Sequence, residues 1–160
     1  MLEPFPNRLR LLLSLLFGLP LLLCYGQEND PFTAEALKLR TALHYDSALG
    51  APLDSLVRLY SNQEREEELV GLYQAHIAQY PDDAGAKAVL ARILTSLERP
   101  EADEFIQSAA RLHATFPHLQ YLLSASLKKK DEDRSLDALS RAIDLETGKN
   151  RRSQWLGELL

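Results

Sequence analysis

Arg58 and Arg92 stand thirty-four residues apart, and each falls just off an apolar helical stripe, so the stripes give them equivalent non-core positions. A guanidinium offers a planar fork that can pair bidentately with a carboxylate. Two such groups on neighbouring helices could grip the acidic groups of a partner. In the same register Asp54, Gln120, Tyr121 and Lys128 project toward the same general side. Arg58, Arg92 and Tyr121 are therefore the candidate partner-binding residues, set against the plainer reading of an ordinary solvated helix face.

The residues that catalysis would use are present but not arranged for it. His44, His76, His113 and His118 form no HExxH pair, and His113 and His118 are five apart across Pro117 rather than four apart on one helical face. They read instead as one partly buried helix residue, His76, and three surface or helix-end residues. Ser126-Leu127-Lys128-Lys129 has the Ser-x-x-Lys spacing but none of the companion motifs of the penicillin-binding enzymes. Gly148-Lys149 lacks the other residues of a phosphate-binding loop. The acids Glu64, Glu66, Glu67 and Glu68 read as a helix start, and Lys128, Lys129 and Lys130 as a helix end, where each charge suits the helix dipole. No catalytic residue, metal ligand or cofactor is expected, and the lysine run is too short to make an anionic-lipid patch.

These groups must be held by helices. The composition, 46% hydrophobic and 26% charged over 160 residues, is that of one globular domain, and a net charge of −5 argues against nucleic acid. QENDPF, residues 27–33 with Thr33, is a polar lead in which Thr33 stands where an N-cap belongs, and a helix is expected from Ala34 to Leu49 on Ala36, Leu37, Leu39 and Leu43. Gly50 and Pro52 then stop one helix and start another. Leu53, Leu56, Val57 and Tyr60 make a first stripe, SNQERE a turn, and Leu69, Tyr73, His76, Ile77 and Tyr80 a second stripe before Pro81.

The pattern recurs. Leu90, Ala91 and Leu94 lie thirty-four residues after Leu56, Val57 and Tyr60; a turn two residues longer, TSLERPEA, leads to Phe105, Ile106, Ala109, Leu112 and Phe116. A compressed third unit runs from Leu119, Leu122, Leu123 and Leu127 through KKKDED to Leu136, Leu139, Ala142, Ile143 and Leu145. Almost uniform helix is expected over 34–147, with Tyr80-Pro81 and Phe116-Pro117 ending second helices and their rings packed on the next unit.

The units at about 50–83, 84–117 and 118–147 resemble the tetratricopeptide repeat, a 34-residue helix-turn-helix unit with a proline near its end. Leu53, Leu56, Val57, Tyr60, Leu69, Tyr73 and Pro81 occupy matching positions, whereas His76 replaces a small residue, Lys87 a bulky apolar one, and the third unit lacks the proline. The resemblance implies an all-α fold of helical-hairpin repeats, stacked as a short right-handed superhelical solenoid over 34–160, with a concave face of first helices. In the family's carboxylate clamp lysine and asparagine hold set positions; Asp54 and Arg58 stand at two of them here, so the clamp is not expected. Trp155, Leu156 and Leu159 look like the face of a further first helix, which either caps the stack or is itself covered by more chain.

Residues 1–26 are read apart as a secretory signal peptide: Arg8 and Arg10 precede an apolar run from Leu11 to Tyr25, short for a membrane span, and cleavage after Gly26 is favoured. An uncleaved anchor and lipidation of Cys24 are the alternatives that would bring the chain to a membrane. Removing this segment takes two arginines and Glu3, leaving 16 basic and 22 acidic residues, a net charge of −6, and no cysteine. The expected function is a secreted or periplasmic scaffold binding a protein or peptide on the concave face. The alternative is an accessory repeat region of a longer exported enzyme with its catalytic domain beyond Leu160.

Overall fold

The computed structural model describes residues 30–159, among which there are eight helices and no strand. The signal-peptide reading of residues 1–26 and the start of the polar lead lie outside the described residues. The chain divides into two compact units, Met1–Lys38 and Leu39–Leu160. The first is described only over its last nine residues. There α1, Pro31–Tyr45, begins three residues earlier than Thr33 suggested. Asp30 is the cap: its carboxylate accepts from the Phe32 and Thr33 N–H groups at 3.3 and 3.4 Å. Pro31 takes the first helical position, where a missing N–H costs nothing. The Thr33 hydroxyl is drawn into the cap as a donor to Asp30.

The second unit holds the end of α1 and then α2 (Gly50–Ser61), α3 (Glu66–Gln79), α4 (Ala84–Ser96), α5 (Ala102–Leu112), α6 (Pro117–Leu127), α7 (Glu132–Leu145) and α8 (Lys149–Leu159). From α2 onward each helix packs on the next, and α2 also packs on α4 and α4 on α6. The stripes account for this. Leu53, Leu56 and Tyr60 on α2, Leu69 and Val70 on α3, and Leu90, Ile93 and Leu94 on α4 are buried. Each large aliphatic side chain so placed contributes roughly 1.5–3 kcal/mol. The most extensive contact joins α6 and α7. Small residues let these helices approach: the Ser135 hydroxyl donates to the Ser124 carbonyl at 2.9 Å, and Ala138 and Ala142 are buried alongside.

Two turns repeat at the pitch of the stripes. After α2, the Arg65 N–H reaches the Tyr60 carbonyl and the Glu64 N–H reaches Ser61; after α4, Arg99 reaches Leu94 and Glu98 reaches Thr95, all at 2.9–3.1 Å. Both are Schellman closures, and the residue in the left-handed conformation is a glutamate each time, Glu64 at φ 54 and Glu98 at φ 53. The two turns match through Arg65 and Arg99, so the two-residue insertion falls after that point, at Pro100–Glu101, before α5.

The aromatic-proline pairs behave differently from each other. Tyr80 caps the end of α3, as expected, but its ring tilts against His76 at 4.9 Å and stays half exposed instead of packing on the next unit. Phe116-Pro117 does not end a second helix: α5 stops at Leu112, and Phe116 is the N-cap of α6 with Pro117 in its first turn. The Phe116 ring does pack, onto Ala88, Ala109, Ala110 and Leu119. α5 buries Ala102, Ile106, Ala109 and Ala110 and leaves Leu112 exposed, and Leu37 and Leu136 are exposed too, although the stripes assigned all three to the core.

Candidate interaction face

Arg58 and Arg92 share a backbone register but not a surroundings. Arg58, on α2, is exposed, and its guanidinium makes no ion pair with the described residues. Arg92, on α4, is half buried, and its Nη1 donates to the Ser47 carbonyl at 2.6 Å. Burial pulls its pKa below the usual arginine value against the opposing pull of Asp54 and Asp46, yet an arginine keeps its charge. Register set Arg92 beside Arg58 as a candidate partner-binding residue; its guanidinium is engaged with the loop after α1.

That loop is held from a second direction. Arg151, in the first turn of α8, donates through Nη1 to both Asp46 oxygens at 2.8 and 3.1 Å, and through Nε to Glu146 at 3.0 Å. Asp46 also accepts from the Ala48 N–H at 3.0 Å. Burial works against its charge, but the Arg151 and Ala48 hydrogen bonds prevail and hold the carboxyl below the usual range. The Asp46 bond in turn raises the Arg151 pKa. Glu146, 4% exposed, caps the end of α7 and accepts from the Gly148 N–H at 2.6 Å. A β-carbon at Gly148 would come 2.9 Å from that Glu146 oxygen, so a larger residue there would have to displace the carboxylate.

Tyr121 is likewise occupied. Its ring stacks on Trp155 at 4.8 Å and 11°, and its hydroxyl donates to the Glu158 carboxylate at 3.2 and 3.3 Å. Burial and that carboxylate raise its pKa. Trp155 is 3% exposed, packed on Leu139, Ala142 and Ile143, with His118 against its face edge-on at 5.5 Å. His118 does sit at a helix end, but it is buried, and burial beside Arg151 and Arg92 brings its pKa down to about 4, so the ring is neutral at pH 7. Gln120, placed on the face by register, is buried as well, donating to the Ala110 carbonyl at 3.0 Å.

Where α3 gives way to α4 the sequence pattern hid a polar pair. Lys87 stands thirty-four residues after Leu53 and is just as inaccessible, its ammonium donating to the Pro81 carbonyl and to His113 Nε2, the latter at 2.8 Å. An ammonium has no acceptor, so His113 must offer a lone pair. Burial and the Lys87 charge lower the His113 pKa and keep it neutral. Beside it Asp83 caps α4, accepting from Ala86 at 2.8 Å and bonding His76 Nε2 at 2.9 Å. Burial disfavours the Asp83 carboxylate, but the Ala86 and His76 bonds win and lower its pKa.

No family model matches the chain, and no curated protein matches it at a significant level. Among the described residues no group of three or more His, Asp or Glu side chains is placed to hold a metal ion, and no helix is long and apolar enough to cross a membrane. The geometry thus leaves Arg58 as the accessible member of the sequence-derived trio. Sequence reasoning missed Asp46, Glu146 and Arg151, and no local spacing could have joined the first to the last, 105 positions away.

Proposed function

We propose that the helical hairpins at 50–83, 84–117 and 118–147 form a short tetratricopeptide-like right-handed stack that acts outside the cytoplasm as a scaffold for a protein or peptide partner, with no chemical step of its own. One observation carries this reading. Alternate helices α2, α4 and α6 pack on one another in series, and the turns after α2 and α4 have the same hydrogen bonds and the same left-handed glutamate thirty-four residues apart. A stack of that kind offers its partner the row of first helices. On that row Arg58 supplies an exposed cation with no ion pair among the described residues, while Arg92 and Tyr121 serve to hold neighbouring segments. Export rests on the charge and apolar pattern of residues 1–26.

The test places a photo-crosslinking amino acid at position 58 on α2 and, separately, at the exposed Gln74 on α3, in cells producing the chain. A discrete protein adduct from position 58 that is missing from position 74 supports the scaffold reading. No adduct, or the same adducts from both, overturns it. The mass of the same product reads export: a chain beginning at Gln27 in the extracytoplasmic fraction is expected, an intact chain in the cytoplasm overturns it, and a lipid-modified Cys24 replaces cleavage after Gly26 with anchoring.

A further inference from the structure

A cleft of about 670 Å³ opens between α5 and the end of α6, away from the loop that Arg92 and Arg151 hold. Ile106, Leu122 and Ala125 give it apolar walls, and Lys128, Lys129 and Lys130 stand along its rim. The lysines are not equivalent. Lys130 is paired with Asp103, whose other oxygen accepts from the Ser126 hydroxyl at 2.6 Å. Those two hydrogen bonds, Lys130 first, hold the Asp103 carboxyl below its usual range, so that acid is committed. Lys128 and Lys129 are exposed and have no ion pair with the described residues. The mouth of the cleft therefore carries two lysines without an ion pair among the described residues, with the exposed acids Glu132 and Asp133 following in the same turn.

We propose that this cleft binds an acidic peptide segment of a partner protein, with one aliphatic side chain seated against Ile106, Leu122 and Ala125 and flanking carboxylates on Lys128 and Lys129. The volume is in the range of sites that enclose a side chain or small ligand, roughly 300–1,000 Å³. Apolar walls with a cationic rim reject a purely ionic ligand and a purely apolar one alike. Two lysines are too few for a nucleic-acid backbone, which needs many phosphate contacts for affinity. The cleft takes α6 residues and Lys128, which register had set on the first-helix side, but not Arg58, and the proposal goes beyond the scaffold reading without depending on it.

The experiment titrates the full chain, with labelled methyl groups, with the synthetic peptide acetyl-Glu-Asp-Leu-Asp-Glu-amide and follows the Ile106, Leu122 and Ala125 signals by NMR. Saturable shifts at all three are expected. Replacing the peptide's leucine by glycine should weaken binding about tenfold or more, the loss expected when one buried aliphatic side chain is removed. Lys128→Glu with Lys129→Glu should weaken it at least tenfold, and raised salt should weaken the wild-type complex in the same direction. Ala125→Glu, which fills the floor and leaves the rim cations in place, gives an independent second block should the double variant lose its helical circular dichroism. Unmoved methyls at millimolar peptide, or equal shifts with a lysine-substituted peptide, overturn the proposal. So does protection of these methyls by phosphatidylglycerol vesicles when the peptide leaves them unchanged, which would make the occupant a lipid. Crosslinking from position 58 is read separately, so the two sites can fail one at a time.

Discussion

Arg58 on α2 and Arg92 on α4 occupy the same place in two consecutive helical hairpins, and one faces water while the other grips a backbone carbonyl. The difference lies entirely in what the chain brings alongside. Among the described residues Arg58 has no ion pair and stays exposed, whereas the loop at 46–48 lies against α4, where Ser47 is buried and accepts from Arg92. Leu53 and Lys87 make the same point from the core side: equal register and near-equal burial, but one is inert hydrocarbon and the other an ammonium that survives because Pro81 and His113 accept from it. Repeat register fixes where a side chain starts. It does not fix what the side chain is used for.

The comparison can be broken most sharply at Arg151. Arg151→Ala should destabilise the fold by about 3 kcal/mol in chemical denaturation, because it leaves Glu146 buried without its cation and releases Asp46; a change under about 1 kcal/mol would mean that the loop is held by packing alone. Next comes pH. His118 has its pKa lowered from 6.5 to about 4, so the unfolded chain takes up the proton first. Its contribution is whole above pH 6.5, shrinks as pH falls toward 4, and is lost below that, a change of roughly 3 kcal/mol at most. In His118→Phe that part of the pH dependence should disappear from the denaturation midpoints.

Smaller effects sharpen the arginine pair itself. Arg92→Ala should cost about 1.5–2 kcal/mol, the loss of a charged hydrogen bond to a buried carbonyl. Arg58→Ala, measured in the same denaturant series, should stay within about 0.5 kcal/mol, as surface substitutions do. Equal costs would show that register alone governs both sites. Glu64→Gly and Glu98→Gly test the matching turns: each should gain about 0.5–1 kcal/mol, since glycine removes a left-handed strain of roughly 1–2 kcal/mol and returns part of it as chain entropy. A gain at one turn and a loss at the other would end their equivalence.

Much of the helical layout was legible because it is written in local spacing. Leu53, Leu56 and Tyr60, and again Leu90 and Leu94, are buried where their period placed them. Helix ends were less legible: Asp30 with Pro31 outcompeted Thr33 as the start of α1, and α5 stops at Leu112, so that Phe116 caps the following helix. The candidate face was read only in outline. Tyr121, chosen by register as a partner-binding residue, stacks on Trp155, thirty-four residues away on α8. Lys87 looked like a flaw in the pattern because His113, which accounts for it, lies 26 residues on at the end of the next helix, beyond any periodic signal.

The ion pair between Asp46 and Arg151 ties positions 105 residues apart into one loop of chain. In an open array of hairpins, unfolding can begin at a free end and proceed unit by unit, because each unit touches only its neighbours. Here the first turn of α8 cannot open without releasing the Asp46 side of the segment that precedes α2. Amide hydrogens of α8 and those of the loop at 46–49 should accordingly exchange with solvent through one shared opening, with similar opening free energies that fall together when the pair is removed.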